Sequence, residues 1–413
     1  MSSEADVVVT PRGAARLRGA CPLLRRTEVQ KPPAGEADVV RVRDGRGELL
    51  GTALWCPVGP IALRLLGGGE LRLDATLLGE RLQAALRRRQ AWLAGSLLRG
   101  ADAYRVVHAE ADLLPGLVVD RYGEAAVVQT TTRAMDARVE EIGALVAEVL
   151  GVQRVIRRDD GSARDLEALP RVRAVLRGGP GPVRVRFHDA GAEVEADLLA
   201  GSKTGAFLDQ QENHALAGLW AQRFGTGEAL DAFTYHGGFA LQLGRAGLTV
   251  LACDENPEAV AAARHNAALG GLSLQLRVAN AFDLLRELEA AGRRFQVVVL
   301  DPPALAKRGR GLRQGAARDG AYRAYKELNL RGLRLLACGG LLITCSCSAR
   351  LAPAAFEALV AEAARDAGRV VQLLARRGAG EDHPVLLGMP ETEYLKCLFL
   401  RVVGEGYRSA TAR

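Results

Sequence analysis

The stretch 229–254, ALDAFTYHGGFALQLGRAGLTVLACD, constrains the fold of this chain more than any other. A short apolar run ends at Asp231, and a turn containing Gly237 and Gly238 follows it. An apolar-periodic segment and a second apolar run then lead to Asp254. A strand, a glycine turn, a helix, a strand and an acid in this order are typical of a nucleotide-binding βαβ unit. The alternative is an ordinary βα turn of a parallel sheet.

The acidic residues of this unit favour a cofactor without phosphate groups. The turn does not read G-x-G-x-x-G, so it matches poorly the pyrophosphate cradle of a dinucleotide site. Asp231 at the strand end would repel a phosphate, whereas Asp254, about 20 residues beyond the turn, can accept hydrogen bonds from ribose hydroxyls. S-adenosylmethionine has an ammonium, a sulfonium and a ribose but no phosphate. It is therefore the cofactor that this pattern predicts.

Composition indicates a soluble globular protein of two or three domains. The 413 residues are 48% hydrophobic and 25% charged, and no apolar run approaches the roughly 18 residues of a membrane span. Seven cysteines without framework spacing, and an N-terminus unlike a secretory signal, lead us to expect a cytoplasmic protein. The formal charge of +7 permits nucleic-acid binding.

Changes of pattern along the chain predict three domains. Short β-branched runs separated by Gly and Pro predict a small β-rich domain over 1–75. A helical pattern followed by short strands and a second helix predicts a small central α/β domain over 76–180. Beyond the linker at 178–187, residues 190–413 alternate strands and helices, which predicts a doubly wound, mostly parallel sheet. Its strands are expected near 229–233, 249–253, 273–278, 296–300, 340–346, 369–375 and 394–402.

The segment FQVVVLDPPALAKR at 295–308 has a buried strand that ends in Asp301, Pro302 and Pro303. Ligands bind at the carboxyl ends of such strands, and the two prolines fix the direction of the exit loop. Asp301 could hold a planar base there; the alternative is a simple proline turn. The loop 307–320 is rich in Gly and cationic residues, which is compatible with phosphate-backbone binding or with a solvated loop.

The segment LLITCSCSAR at 341–350 ends the next strand with Cys345 and Cys347. We expect the two side chains to lie on opposite faces of the strand, and we predict no metal site. A thiolate that adds to C6 of cytosine turns the ring into an enamine, which is nucleophilic at C5. We interpret Cys345 as a packing residue and Cys347 as the candidate nucleophile.

Seven motifs occur in order: KTGAFLDQQEN, LDAFTYHGGFAL, VLDPPALAK, AYKELN, TCSCS, DHPV and ETEYLK. Together they resemble the bacterial class I methyltransferases that make 5-methylcytosine in large-subunit ribosomal RNA. The resemblance runs from about Tyr104 to Val403. It implies a C-terminal Rossmann-like domain with a seven-stranded sheet, preceded by a degenerate PUA-like domain and a small central α/β domain.

The resemblance also implies site residues, by position. Cys347 would attack the target base and Asp301 would bind it. The residues implied for S-adenosylmethionine are Asp231, Phe233, Tyr235, Gly237, Gly238, Asp254, Glu255, Asn280, Ala281 and Asp301, with Lys203, Thr204, Asp209 and Gln210 beside the pocket. Apart from the resemblance, we expect the RNA substrate to contact Pro302, Pro303, Lys307, Arg308, Arg310 and Lys326.

The chain departs from the family pattern in four places. ACPLLRR at 20–26 replaces a His-Pro-Trp element, His236 replaces a Thr, Asn280 replaces an acid and Gln211 replaces an Arg. The leading hypothesis is a monomer or homodimer that methylates cytosine C5 in ribosomal RNA or in an assembly intermediate. The alternatives are methylation of a guanine nitrogen without a covalent adduct, and an RNA-binding protein that has lost catalysis.

Overall fold

The computed structural model describes residues 5–179, 181, 183–199, 201, 205–305 and 314–406, except the side chains of 314–319. Contacts divide the chain into two compact units. The first comprises Met1–Phe187, Ala196–Leu208 and Glu381–Thr392; the second comprises His188–Glu195, Asp209–Gly380 and Glu393–Arg413. The predicted division at residues 75, 180 and 190 stays a prediction.

The first unit begins with a six-stranded sheet in the order β2-β6-β5-β4-β1-β3. Thr10 begins its helix because the Thr10 hydroxyl accepts a hydrogen bond from the Gly13 amide at 3.1 Å, with Pro11 in the first turn. Alternate residues such as Val40 and Val42 are buried in its core. The elements are β1 (Ala5–Val9), α1 (Pro11–Arg18), β2 (Leu23–Arg25), β3 (Val29–Lys31), β4 (Val39–Arg43), β5 (Leu49–Trp55) and β6 (Ile61–Gly67).

A second sheet of the first unit has five strands in the order β11-β10-β9-β8-β7. Its neighbours are antiparallel, except that β9 and β10 are parallel. Its longest helix, α2, begins after Asp74, whose carboxylate accepts a hydrogen bond from the Leu77 amide at 3.0 Å. The elements are α2 (Ala75–Gly95), β7 (Ala103–His108), β8 (Leu117–Tyr122), β9 (Ala125–Thr130), α3 (Arg133–Asp136), α4 (Val139–Leu150), β10 (Arg154–Asp159) and β11 (Val172–Arg177).

The next two strands form a hairpin, and the second unit then alternates helices and strands. The hairpin consists of β12 (Arg184–Asp189) and β13 (Ala192–Asp197). The remaining elements are α5 (Gln211–Ala221), β14 (Glu228–Asp231), α6 (Gly238–Arg245), β15 (Thr249–Asp254), α7 (Pro257–Leu269), β16 (Gln275–Val278), α8 (Ala281–Ala290), β17 (Phe295–Leu300), α9 (Gln314–Leu335), β18 (Leu336–Ser346), α10 (Pro353–Asp366), β19 (Arg369–Arg377) and β20 (Lys396–Glu405).

The sheet of the second unit has seven strands in the order β16-β15-β14-β17-β18-β20-β19. The first five are parallel, and β20 is antiparallel to both its neighbours. Val298 packs into one apolar cluster and its neighbours Val297 and Val299 into the other, so both faces of the sheet are covered. The predicted doubly wound sheet is confirmed, with shifted strand ends. Strand order reverses between β14 and β17, which makes their carboxyl ends the expected ligand site.

Two features of the described part of the chain bear on function. None of its helices is both long enough and apolar enough to cross a membrane. Within the same residues, no group of His, Cys, Asp and Glu side chains has an arrangement that could hold a metal ion.

Candidate functional site

Four of the predicted site residues stand at the carboxyl ends of four adjacent strands. Asp254 ends β15 and Asp231 ends β14, while Asp301 directly follows β17 and Cys347 directly follows β18. These strands are consecutive and parallel in the sheet, so their carboxyl ends meet at one edge. The fold therefore gathers three carboxylates and a thiol, at the place where parallel sheets bind ligands.

Asp231 is a buried carboxylate whose two oxygens have no hydrogen-bond partner among the described residues. Burial raises the pKa of Asp231 to about 7, and the charge of Asp301 raises it further. The Thr234 hydroxyl and the Phe233 amide act in the opposite direction, although neither reaches hydrogen-bond geometry. Buried acceptors are normally satisfied. Asp231 is therefore suited to receive a cationic donor from a ligand.

Asp254 holds the turn after β14 in place. Its carboxylate accepts hydrogen bonds from the Tyr235 amide at 3.0 Å and from the Asn256 amide at 2.9 Å. Tyr235 has a φ of 48° and Gly237 a φ of 103°, both in the left-handed region that is strained for a residue with a Cβ. Asp254 thus stabilises the turn that leads into α6, and its contact with a ribose stays a prediction.

Position 238 must be a glycine because the His214 ring packs against its backbone. A Cβ on Gly238 would lie 2.3 Å from Cε1 of His214, so the ring occupies the space that the glycine leaves. Nδ1 of His214 contacts both carboxylate oxygens of Asp189, at 2.9 and 3.0 Å, and Nε2 of His236 lies 3.6 Å from the same carboxylate. Burial opposes the imidazolium, but Asp189 outweighs burial and raises the pKa of His214.

The sequence did not predict that Asp189, His214 and His236 form a buried cluster. Asp189 and His214 are 25 residues apart, and neither belongs to one of the seven motifs. His214 directly follows the QEN that ends the first motif, and this position was the sequence feature that could have marked it as a site residue.

Asp301 is oriented by a chain of side-chain amides. Nε2 of Gln210 donates to Asp301 at 2.9 Å, and Nδ2 of Asn213 donates to Oε1 of Gln210 at 2.6 Å. Gln210 and Asn213 are both buried. The preceding residue, Asp209, accepts a hydrogen bond from the Tyr394 hydroxyl at 2.7 Å. The structure thus brings Gln210 to Asp301, whereas sequence analysis placed it only beside a cofactor pocket.

The two cysteines of the TCSCS motif have different surroundings. Cys345 is fully buried and paired in register with Cys397 on β20, and burial raises the pKa of its thiol well above the usual range. Cys347 is half-buried and lies beyond the last strand residue, Ser346. Our expectation of opposite faces was wrong, because residues two apart in a strand share a face. The end of β18 between the two residues makes Cys347 the accessible thiol.

The other predicted cofactor residues lie around this edge with simpler roles. Phe233 is half-buried and packs against the main core cluster, and Glu255 is exposed. Oδ1 of Asn280 accepts a hydrogen bond from the Phe282 amide at 3.0 Å and so caps α8, whose first residue is the buried Ala281. None of these contacts identifies a ligand.

The predicted substrate residues are divided between described and undescribed parts of the chain. Pro302 is buried and Pro303 is exposed in the loop after β17. The ammonium of Lys326 contacts Glu362 at 3.3 Å and Asp366 at 2.8 Å, so it has partners on α10. Lys203, Thr204, Lys307, Arg308 and Arg310 lie outside the described residues.

A doubly wound sheet with acids and a thiol at its switch point defines the class, a Rossmann-like cofactor-binding enzyme domain. A protein described as a methyltransferase, solved in complex with SAH, has the same fold with a TM-score of 0.79. The alignment has 19% sequence identity and covers 96% of this chain and 100% of that one. The family described as "PUA-like domain" matches residues 7–67.

Curated relatives match along most of the chain. "Ribosomal RNA large subunit methyltransferase I" of Shewanella amazonensis is 35% identical over 378 residues, covering 90% of this chain and 92% of the relative. The protein of the same name from Tolumonas auensis is 34% identical over 379 residues, with the same coverage. The chain belongs to the ribosomal RNA large subunit methyltransferase I family, as the sequence motifs predicted.

Proposed function

We propose that this protein transfers the methyl group of S-adenosylmethionine to C5 of a cytosine in large-subunit ribosomal RNA. The observation that carries the proposal is the position of Cys347, an accessible thiol beside Asp301 at the carboxyl edge of the sheet. The names of the relatives support ribosomal RNA as the substrate. We also propose three domains over 1–75, 76–180 and 190–413, and a monomer or homodimer acting in the cytoplasm.

The hydrogen-bond acceptors at the site fit this cofactor. Asp231 offers a buried carboxylate with no described hydrogen-bond partner, which suits the ammonium of S-adenosylmethionine. Asp254 stands at the end of the next strand, where an acid can receive ribose hydroxyls. When bound, the cofactor supplies an electrophilic methyl group. The protein supplies the thiol, the base-binding carboxylate and the fixed turn.

In the proposed mechanism the Cys347 thiolate adds to C6 of cytosine and forms an S–C bond, so that electron density moves to C5. Asp301, held by Gln210, accepts hydrogen bonds from the base and steadies its ring. C5 then takes the methyl group, the C5 proton leaves, and cleavage of the S–C bond restores both the aromatic ring and the thiolate. Cys347 thus provides covalent catalysis.

The experiment compares the two cysteines. RNA with 5-fluorocytosine at the target should be trapped covalently by the wild-type enzyme, because fluorine prevents the final loss from C5. Cys347→Ala should lose both trapping and methyl transfer and keep its affinity for the cofactor. Cys345→Ala is the matched control, since it removes a buried thiol two residues before Cys347, within β18. That variant should lose stability and keep most of its activity.

Three outcomes would contradict the proposal. Full activity in Cys347→Ala, with the methyl group found on a guanine nitrogen, would favour the mechanism without an adduct. An adduct that persists in Cys347→Ala would assign the nucleophile to another residue. Absence of cofactor binding to the wild-type protein by calorimetry would favour an RNA-binding protein that has lost catalysis.

A further inference from the structure

Lys396 is a buried lysine at the start of β20, in register with Ser346 at the end of β18. Its ammonium donates to the carbonyl of Ser348 at 2.6 Å and to the carbonyl of Tyr394 at 2.8 Å. Both acceptors are uncharged. Among the described ion pairs of the chain, none joins Lys396 to a carboxylate. A buried cation of this kind is costly and needs a compensating interaction.

The Ser348 carbonyl that the Lys396 ammonium contacts directly follows Cys347, whose thiol could carry a compensating negative charge. Burial lowers the pKa of Lys396, whereas negative charge on Cys347 acts to raise it, as does the charge of Glu393. The hydrogen bond to Ser348 also fixes the residue that directly follows Cys347. Lys396 therefore affects the Cys347 thiol in two ways. Its hydrogen bond to Ser348 holds the backbone beside the thiol, and its charge favours the thiolate.

We propose that Lys396 is a positioning residue that prepares Cys347 for attack by holding the Cys347–Ser348 turn and stabilising the thiolate. The catalytic part of this proposal rests on the function proposed above, in which Cys347 is the nucleophile. The thiol S–H bond breaks, its proton passes to solvent, and the electron pair stays on sulfur, where the charge of the ammonium stabilises it. The Lys396 side chain keeps its proton throughout.

The other charged and titratable groups described around Cys347 do not stabilise its thiolate. Tyr325 on α9 interacts with Cys347 and with Asp301, and burial raises the pKa of Tyr325 to about 12, so the phenol is neutral. Negative charge on Asp301 acts on the same phenol, and a carboxylate there would disfavour a thiolate. Lys396 offsets that repulsion from the β20 side.

The test measures how fast iodoacetamide alkylates Cys347 in the full-length protein over a range of pH, resolved by peptide mass spectrometry. The exposed Cys338 serves as an internal reference. We expect the alkylation midpoint of Cys347 to lie below that of Cys338. In Lys396→Met it should rise by about one pH unit, equivalent to about 1.4 kcal/mol. Lys31→Met removes a charge from β3 of the other unit and should leave the midpoint unchanged.

Methyl transfer provides the second readout. Lys396→Met should lose activity about tenfold at neutral pH, and the loss should shrink as the pH rises through the new thiol midpoint. A merely structural lysine would not produce this recovery.

Two results would overturn the inference: a wild-type Cys347 midpoint at or above that of Cys338, or an unchanged Cys347 midpoint in Lys396→Met. The first comparison needs no variant, so it holds even if Lys396→Met does not fold. Both are made without RNA and are independent of catalysis. A fully active Cys347→Ala would instead refute the proposed function, and would leave the thiol titration in place.

Discussion

Two buried carboxylates of the first unit, Asp112 and Asp120, differ from Asp231 of the second unit in whether a cation compensates their charge. In the first, Arg89 donates two hydrogen bonds of 2.6 Å to the carboxylate of Asp112, and Arg105 donates two to Asp120, at 2.7 and 2.9 Å. In the second, Asp231 is equally buried, and its carboxylate has no hydrogen-bond partner among the described residues. The carboxylates of Asp112 and Asp120 are thus compensated by arginines, whereas Asp231 at the carboxyl edge of its sheet is not.

The difference separates structural charges from charges available to a ligand. A buried carboxylate with an arginine partner is already compensated, and removing the partner is costly. A buried carboxylate without a partner has a raised pKa and gains most when a cation arrives, which is the usual condition of a binding site. The contrast predicts opposite consequences for the substitution of a paired and of an unpaired buried carboxylate.

Removal of Asp112 should have the largest effect on stability. Asp112→Ala leaves the buried Arg89 guanidinium without its anion, which should cost about 3–5 kcal/mol of unfolding free energy. Hydrogen exchange resolved by peptide should locate the loss in Ala103–His108, because the Asp112 carboxylate also accepts from the His108 amide at 2.6 Å. Cofactor affinity should stay unchanged.

A matched control and a double variant sharpen this prediction. Arg171 and Asp165 form an exposed pair at 2.9 Å, so Asp165→Ala should change the unfolding free energy by less than about 1 kcal/mol. Replacing Arg89 by Met and Asp112 by Leu together should recover part of the loss, because no uncompensated charge remains. Equal losses for Asp112→Ala and Asp165→Ala would contradict the structural role of the buried pair.

The carboxyl edge of the sheet could be predicted from the sequence more readily than the buried charge pairs. An apolar run that ends in an acid marks a strand end locally, so Asp231, Asp254 and Asp301 could be placed before their contacts were known. The Asp189–His214 pair is different, since it forms only when the hairpin and α5 meet. Such pairs depend on tertiary packing, which no short stretch of sequence determines.

Arg89 marks the boundary between what could and could not be predicted. It belongs to a run of three arginines at 87–89, which gives no sign of burial. The helical period does give one, because the buried residues of α2 are Leu78, Leu82, Ala85, Arg89 and Leu93. Arg89 thus occupies an apolar position of the helix. The partner that makes its burial possible, Asp112, could not be identified from that pattern.

Asp231→Asn should weaken cofactor binding without loss of stability. An amide cannot neutralise an ammonium, so affinity for S-adenosylmethionine should fall roughly tenfold to a hundredfold, as measured by calorimetry. Because the pKa of Asp231 is raised from 3.8 to about 7 by burial, the wild type loses stability as the pH rises through this window. At higher pH the variant should therefore be at least as stable as the wild type.

Proton release supplies an independent check on Asp231. At a pH below about 7 the free wild-type protein holds a proton on Asp231, and a cationic ligand should displace it. Calorimetry in two buffers with different ionisation heats should show this release in the wild type and not in Asp231→Asn. Asp283→Asn changes an exposed carboxylate on α8 and should behave like the wild type. Release that persists in Asp231→Asn would assign the proton to another group.

The smallest effect is expected for Asp189→Asn, which removes the negative charge that His214 contacts. Asp189 raises the pKa of His214, so the stability from this pair is fully present below pH 6.5, the usual pKa of His, and is lost as the pH rises through the folded-state pKa. Asp189→Asn should cost about 1.5 kcal/mol near pH 6, a loss that shrinks at higher pH. Urea unfolding at a series of pH values measures this loss.

His265→Gln is the control. It removes an exposed histidine that lies 3.4 Å from Glu195, and its unfolding free energy should depend little on pH. A cost for Asp189→Asn that is constant with pH would mean that His214 is uncharged in the folded protein.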